Sequence, residues 1–222
     1  MKASESRSWI YSIFDTYIAF PTLYSWEASL SQNKLVLFED TIGDLPYHCH
    51  FDALTIDENL TLDDLNRAFT ANFDTGTASI SLHGRSYSNT GDQKLFEELF
   101  RFYEHFGLDF SSSNNDFWPD ALEVELEFMH YLTYLEELAG EDKLGILKAQ
   151  RDFLVRHIGP LVGGINDLLI EKEIPVYNHL MALLNEFVDA ERSYLNETIG
   201  DQISLKQVCW SFIEIREARM GH

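Results

Sequence analysis

The side chains here that could do chemistry are mostly carboxylates, and they crowd one stretch. From Asp116 the chain reads Asp116-Phe117-Trp118-Pro119-Asp120-Ala121-Leu122-Glu123-Val124-Glu125-Leu126-Glu127-Phe128-Met129-His130-Tyr131-Leu132 and continues to Leu138. Paired carboxylates can act as acid and base, but only where their surroundings push their pKa values apart. With so many acids in the chain, close pairs arise by chance. Tyr47-His48-Cys49-His50-Phe51-Asp52 sets possible metal ligands side by side. Adjacent residues rarely converge on one ion, and no second cluster follows at zinc-finger spacing. Gly140-Glu141-Asp142-Lys143-Leu144-Gly145 has the wrong order for a phosphate-cradling loop. The chain also lacks Gly-x-Gly-x-x-Gly, Gly-x-Ser-x-Gly and His-Glu-x-x-His. No catalytic residue, metal site or cofactor is therefore assigned.

The acidic stretch has the pattern of a helix. Pro119 suits a first helical turn, and Asp120 and Glu123 would sit at the positive end of the helix dipole. At about 100° per residue, Ala121, Leu122, Val124, Leu126, Phe128, Met129, Leu132 and Leu135 share one broad arc. Glu123, Glu127, His130 and Glu137 fall on the other side. Glu125 breaks the pattern, because it lies inside the apolar arc between Met129 and Leu132. A carboxylate there must find hydrogen-bond donors, meet a cation or take up a proton. The expectation is that Glu125 ties its helix to a neighbour, while Asp120 faces the preceding loop and a ligand.

Other elements follow the same periodicity. A helical region over 8–31 is interrupted at Pro21 and is dense in aromatic residues, as a core requires. Thr61 is an N-cap candidate for a short amphipathic helix reaching Phe73. Residues 80–87 alternate weakly, but with no ladder partner they are expected as an extended connection. A helix over 92–106 stops at Gly107. Residues 108–116 are polar and mark a possible internal boundary. Ile146 to Ile158 is expected as a helix ended by Gly159-Pro160, with His157 capping its last carbonyls. Pro175 opens a long helix, and residues 201–220 are expected to be helical. The expected fold is all-α, a single compact helical bundle over residues 1–222.

The bulk properties narrow the function. The 222 residues carry 16 Lys and Arg against 37 Asp and Glu, a formal charge of −21. Such a surface repels nucleic acid and anionic membranes and speeds encounter with cationic partners. Simple solubility explains the charge equally well. No apolar run approaches the ~20 residues needed to cross a bilayer. The first residues lack a secretory pattern, so a cytoplasmic location is expected. Cys49 and Cys209 do not make a disulfide framework.

Pro119-Asp120-x-Leu122-x-x-Glu125-Leu126-Glu127-Phe128-Met129 resembles the signature of the TorD/DmsD/NarJ family. These are cytoplasmic chaperones of molybdoenzymes of the dimethyl sulfoxide reductase superfamily. That family usually has His where this chain has Ala121. Leu82 to Leu108, with Tyr87, Tyr103, Phe106 and Gly107, resembles the family's segment before the signature. Asp152-Phe153-Leu154-x-x-His157-x-x-Pro160 resembles its following block. The resemblance implies a helical, non-enzymatic chaperone, without a cofactor of its own. Its partners would be a molybdenum oxidoreductase catalytic subunit and that subunit's basic twin-arginine leader, held until the molybdenum cofactor is inserted. The target-binding residues it implies are Asp120, Trp118, Pro119, Tyr87, Tyr103 and His157, with Glu125 as a structural carboxylate. Overall likeness leans toward chaperones of the type II enzymes. The alternatives are a small nucleotide-binding or hydrolysing enzyme and an accessory subunit retained in a redox complex.

Overall fold

The computed structural model describes residues 3–35, 43–49, 56–74, 80–109, 118–170 and 172–220, with the backbone alone for 203–220. Most of the polar boundary stretch expected over 108–116, together with His50-Phe51-Asp52, lies outside these residues. Helices α1 (Ala3–Ile18) and α2 (Leu23–Gln32) flank Pro21 as expected. Thr22 and Ser25 cap α2 reciprocally, and Asn33 ends it in the left-handed conformation at φ 54°. Thr61 and Asp64 form the same reciprocal cap on α3 (Leu62–Phe69), which unwinds into a wide turn over Thr70–Asp74. A short helical turn, Gly84–Ser86, precedes α4 (Asp92–His105). Gly107 stops α4 at φ 79°.

The signature helix α5 spans Leu122–Ala139. It begins later than its sequence suggests, so Pro119 and Asp120 occupy the turn ahead of it rather than its first helical turn. That turn is pinned from outside. Leu122 N–H donates to the Leu82 carbonyl at 2.9 Å and Gly84 N–H to the Asp120 carbonyl at 2.8 Å. They form an isolated antiparallel bridge between His83 and Ala121, so the weakly alternating 80–87 segment does find a partner.

Gly159-Pro160 does not end a helix. Helix α6 (Leu144–Phe153) widens into a π-turn over Leu154–Ile158 and continues as α7 (Gly159–Leu169). Proline lacks the N–H needed for the helical ladder, and a wide turn just upstream absorbs that gap. A Cβ on Gly159 would lie 2.8 Å from the Leu154 carbonyl oxygen, so this turn needs glycine. His157 consequently sits within a helical run and caps nothing. The last helix, α8, runs Tyr177–Met220. Asn178 secures its start, donating to the Leu169 carbonyl at 2.7 Å and accepting from Ile174 N–H at 2.9 Å.

The described residues form a helical bundle without a strand of regular sheet. Helix α1 packs along α5, while α6 and α7 pack on α8. One apolar cluster runs through them, including Ile10, Phe14, Trp26, Leu99, Leu126, Phe153, Ile165 and Phe187. At its centre lies a charge. Arg7 is completely buried. Its guanidinium donates to Glu191 of α8 at 2.6 and 2.8 Å, to Glu136 of α5 at 2.6 Å and to Gln150 of α6 at 2.6 Å. Tyr11 and Tyr47 donate to Glu191 as well, and Lys143 reaches Glu136 at 3.0 Å. Burial alone would raise the Glu136 carboxyl, but Arg7 and Lys143 overcome this and hold it below its usual range.

Removing one partner from such a network leaves buried charge unpaired, at a cost of roughly 3–5 kcal/mol. Arg7→Met should therefore lower Tm by roughly 6–20 °C in a chain of this size. Arg7→Lys should rescue little, because an ammonium cannot reproduce the planar fork. Thermal melts of both variants check this; an Arg7→Met chain melting with the parent would refute it.

Candidate functional site

The turn before α5 is built around Asp120. Its side chain is 0% exposed, which corrects the expectation that it faces the loop and a ligand. Arg85 takes both oxygens, Nε to Oδ2 at 2.9 Å and Nη2 to Oδ1 at 2.9 Å, and its backbone N–H donates to Oδ2 at 3.0 Å. His83 Nδ1 stands 3.4 Å from Oδ1. Burial raises the Asp120 carboxyl, but the bonds from His83 and Arg85 outweigh it and leave it below the usual range. Above this pair, the Arg85 guanidinium lies under the Trp118 ring at 4.3 Å and beside Phe96 at 5.1 Å. Trp118 itself is 54% exposed. Pro119 is buried, and its carbonyl accepts from the buried Tyr103 hydroxyl at 2.6 Å. Asp120, Pro119 and Tyr103 thus hold the turn together, and Trp118 is the member of that group that offers surface.

Tyr87 and His157 lie elsewhere, around a small cavity beneath Gly84. Tyr87 donates to the Ser81 carbonyl at 2.8 Å. Its ring covers Gly164, where a Cβ would come within 2.2 Å of Cδ1. His157 is buried among Phe102 and Phe153, with ring centroids 5.5 and 4.9 Å away. Desolvation, and then Arg156, push its pKa down to about 4, so the ring is neutral at physiological pH.

Glu125 is fully buried, as its place in the apolar arc requires. The expectation that it ties α5 to a neighbour is not met: neither carboxylate oxygen has a hydrogen-bond partner among the described residues. Desolvation and then the nearby Asp120 charge raise its pKa well above the usual range, so it resolves its position by holding a proton.

A groove opens on another face of α5, against α1 and the end of α4. Its volume is about 550 Å³, over a floor of Val124, Phe128 and Tyr131. Asp15, Asp109, Glu123 and Glu127 line it, with Leu108, and no basic side chain lines it among the described residues. Burial and then Glu127 and Glu123 push the Asp15 carboxyl up to about 7. Burial likewise raises Glu123, against the pull of His83. Asp15 and Glu123 are thus partly buried in a groove with no basic side chain in its lining among the described residues. Asp15 could have been suspected from sequence, since it lies at the edge of the α1 apolar arc beside Tyr11 and Ile18. Arg85 had no such signal. A larger cavity of about 730 Å³ lies between α4 and α6, but there acids and bases alternate and neutralise one another, as in Arg101–Glu97 and Arg156–Glu98.

The unpaired Glu125 generates a prediction of definite sign. A buried polar group without a partner costs on the order of 1–3 kcal/mol. Glu125→Leu should therefore raise Tm, by ~2–4 °C per kcal/mol in a chain of this size. Because the folded pKa is raised, the folded chain keeps a proton that the unfolded chain loses, and stability falls as pH rises above the unfolded value. The variant should flatten that decline. Melts between pH 5 and 8 check both effects, and a destabilised Glu125→Leu would reveal a partner for the carboxyl.

Comparison with known proteins places this architecture. The family model described as "Nitrate reductase delta subunit" matches residues 44–166. The perchlorate reductase assembly chaperone protein of Dechloromonas aromatica (strain RCB) is 30% identical over 202 residues, 84% of this chain and 88% of that protein. The selenate reductase assembly chaperone protein of Thauera selenatis is 34% identical over 148 residues, 64% of this chain and 76% of its own. The chlorate reductase assembly chaperone protein of Ideonella dechloratans is 34% identical over 131 residues, covering 57% of this chain and 65% of that one. With a family match across more than half its length and this set of relatives, the chain belongs to the nitrate reductase delta subunit family, that is, to the TorD/NarJ group of molybdoenzyme assembly chaperones rather than to a class of enzymes.

Proposed function

We propose that this chain binds the catalytic subunit of a molybdenum oxidoreductase in the cytoplasm, through that subunit's basic twin-arginine leader, and holds it until the molybdenum cofactor is inserted. The observation that carries this reading is the groove between α1 and α5. It pairs an apolar floor with Asp15, Glu123 and Glu127, and burial, then repulsion from Glu127 and Glu123, raises the Asp15 carboxyl to about 7. A leader with arginines beside an apolar segment meets both requirements. The apolar floor supplies binding energy, and the carboxylates supply speed and register.

Gly107 and Leu108, which belong to the segment resembling the family's stretch before the signature, line one end of the groove. Trp118, exposed and stacked on Arg85, does not line the groove and would serve as a separate contact for the target. Asp120, Pro119 and Tyr103 contribute by fixing the turn, so an Asp120→Asn change acts on binding through the Arg85–Trp118 stack. Among the described residues no helix is long and apolar enough to cross a membrane. The names of the relatives favour an oxyanion reductase as target.

The reading is tested by titrating the chain with a synthetic leader peptide and with the same peptide carrying Ala in place of its arginines. Association of the Arg peptide should slow as salt rises from low to physiological strength and beyond, since exposed charges are screened within about 8 Å at the latter. Asp15 ionises as pH climbs past about 7, so the Arg peptide should bind more tightly at pH 8 than at pH 6, with proton release. Asp15→Asn should weaken binding several-fold and remove that pH dependence. The same change should stabilise the chain at pH 8, because the raised folded pKa makes ionised Asp15 unfavourable there. Equal binding of the two peptides, or salt-independent association, would refute the groove as the leader site.

A further inference from the structure

The cavity beneath Gly84 is not accounted for by the groove. It measures about 210 Å³ and is walled by Gly84, by Tyr87 and the polar residues 88–90 that follow it, by Glu125, and by the π-turn residues Arg156 and His157 leading to Pro160. Glu125 and His157 are both buried, and between them both carboxyl oxygens and both ring nitrogens lack a hydrogen-bond partner among the described residues. Buried polar atoms are rarely left so, and several in one cavity mark a place prepared for something else. Glycine at 84 keeps the space open: a Cβ there would stand 3.3 Å from Glu125 Oε1.

The surrounding charges say what kind of group fits. Arg156 lines the cavity, half exposed and ion-paired with Glu98, and Glu98 Oε1 also lies 3.7 Å from His157 Nε2. A cation entering would meet that guanidinium. On the other side stands Asp120, whose charge is committed to Arg85 and which repels negative charge near Glu125. An anion would meet that repulsion and the burial penalty. Glu125 carries its proton and His157 has lost its own, so each offers one donor and one acceptor. A carboxamide, with a carbonyl acceptor and an NH₂ donor, is the complement of that set.

We propose that the Glu125–His157 cavity is a binding subsite for an uncharged carboxamide, an Asn or Gln side chain of a polypeptide bound across its rim. This does not rest on the leader reading, and it can be tested without a leader. The probes are propionamide, guanidinium chloride and sodium propionate, titrated at matched ionic strength into the full chain labelled at histidine. The His157 ring signals, assigned by their loss in His157→Phe, report occupancy. Propionamide should shift them saturably, while guanidinium and propionate should not. Glu125→Gln keeps one donor and one acceptor and should bind propionamide within about twofold of the parent. Glu125→Leu, which should fold at least as well, should lose at least about tenfold, the worth of one hydrogen bond to a buried partner. A guanidinium response that Glu125→Gln abolishes would overturn the proposal in favour of a cation site. No propionamide response in the parent, or an equal one in Glu125→Leu, would overturn it in favour of a merely hydrated cavity.

Discussion

Arg7 is the constraint on which the bundle depends. It joins α1 to α5, α6 and α8 through Glu136, Gln150 and Glu191, all of them buried. A guanidinium placed out of water is tolerable only when its donors are met in good geometry. That requirement sets the angle and register of α1 against α5 more sharply than apolar contact can, because apolar packing tolerates sliding and a fork of short bonds does not. The groove inherits this order. Its carboxylates stand on α1 and α5, so the spacing between Asp15 and the Glu123–Glu127 pair is fixed at the far end of α1 by Arg7.

The same crowding of acids is settled in different ways along α5. Asp120 is buried and ionised because Arg85 answers it. Glu136 is buried and ionised because Arg7 and Lys143 answer it. Glu125 has no answering cation and stays protonated. Glu123, with Asp15 across the groove, is only partly withdrawn from water, and no basic side chain lines that groove among the described residues. Of 16 Lys and Arg against 37 Asp and Glu, Arg7 and Arg85 are committed to buried carboxylates, and the proposed cationic leader would meet the remaining acidic excess.

Much of this was legible in the sequence and some could not have been. Helical periodicity placed α4, α5 and α8, and the Thr61 cap, because those signals are local. Glu125 was visible as a carboxylate on an apolar arc, and it is buried; that it has no partner depends on what other elements fail to bring to it. Asp120 looked like a first-turn surface acid, and its burial depends on Arg85, 35 residues earlier. Arg7 sits among serines at the start of α1, and its partners lie 129 to 184 residues away. Pro160 read as a helix stop because the π-turn that accommodates it has no simple sequence sign beyond Gly159. The resemblance placed Trp118, Tyr87 and His157 in one functional list, while the structure divides them between an exposed stack and a separate cavity.

The claim that the α1–α5 groove receives the target is tested most directly by hydrogen–deuterium exchange on the full chain with and without a twin-arginine leader peptide. Protection is expected to concentrate at the C-terminal end of α1, over residues 106–109 and in the first half of α5. Protection confined to the α4–α6 cavity, or to α7 and α8, would contradict it.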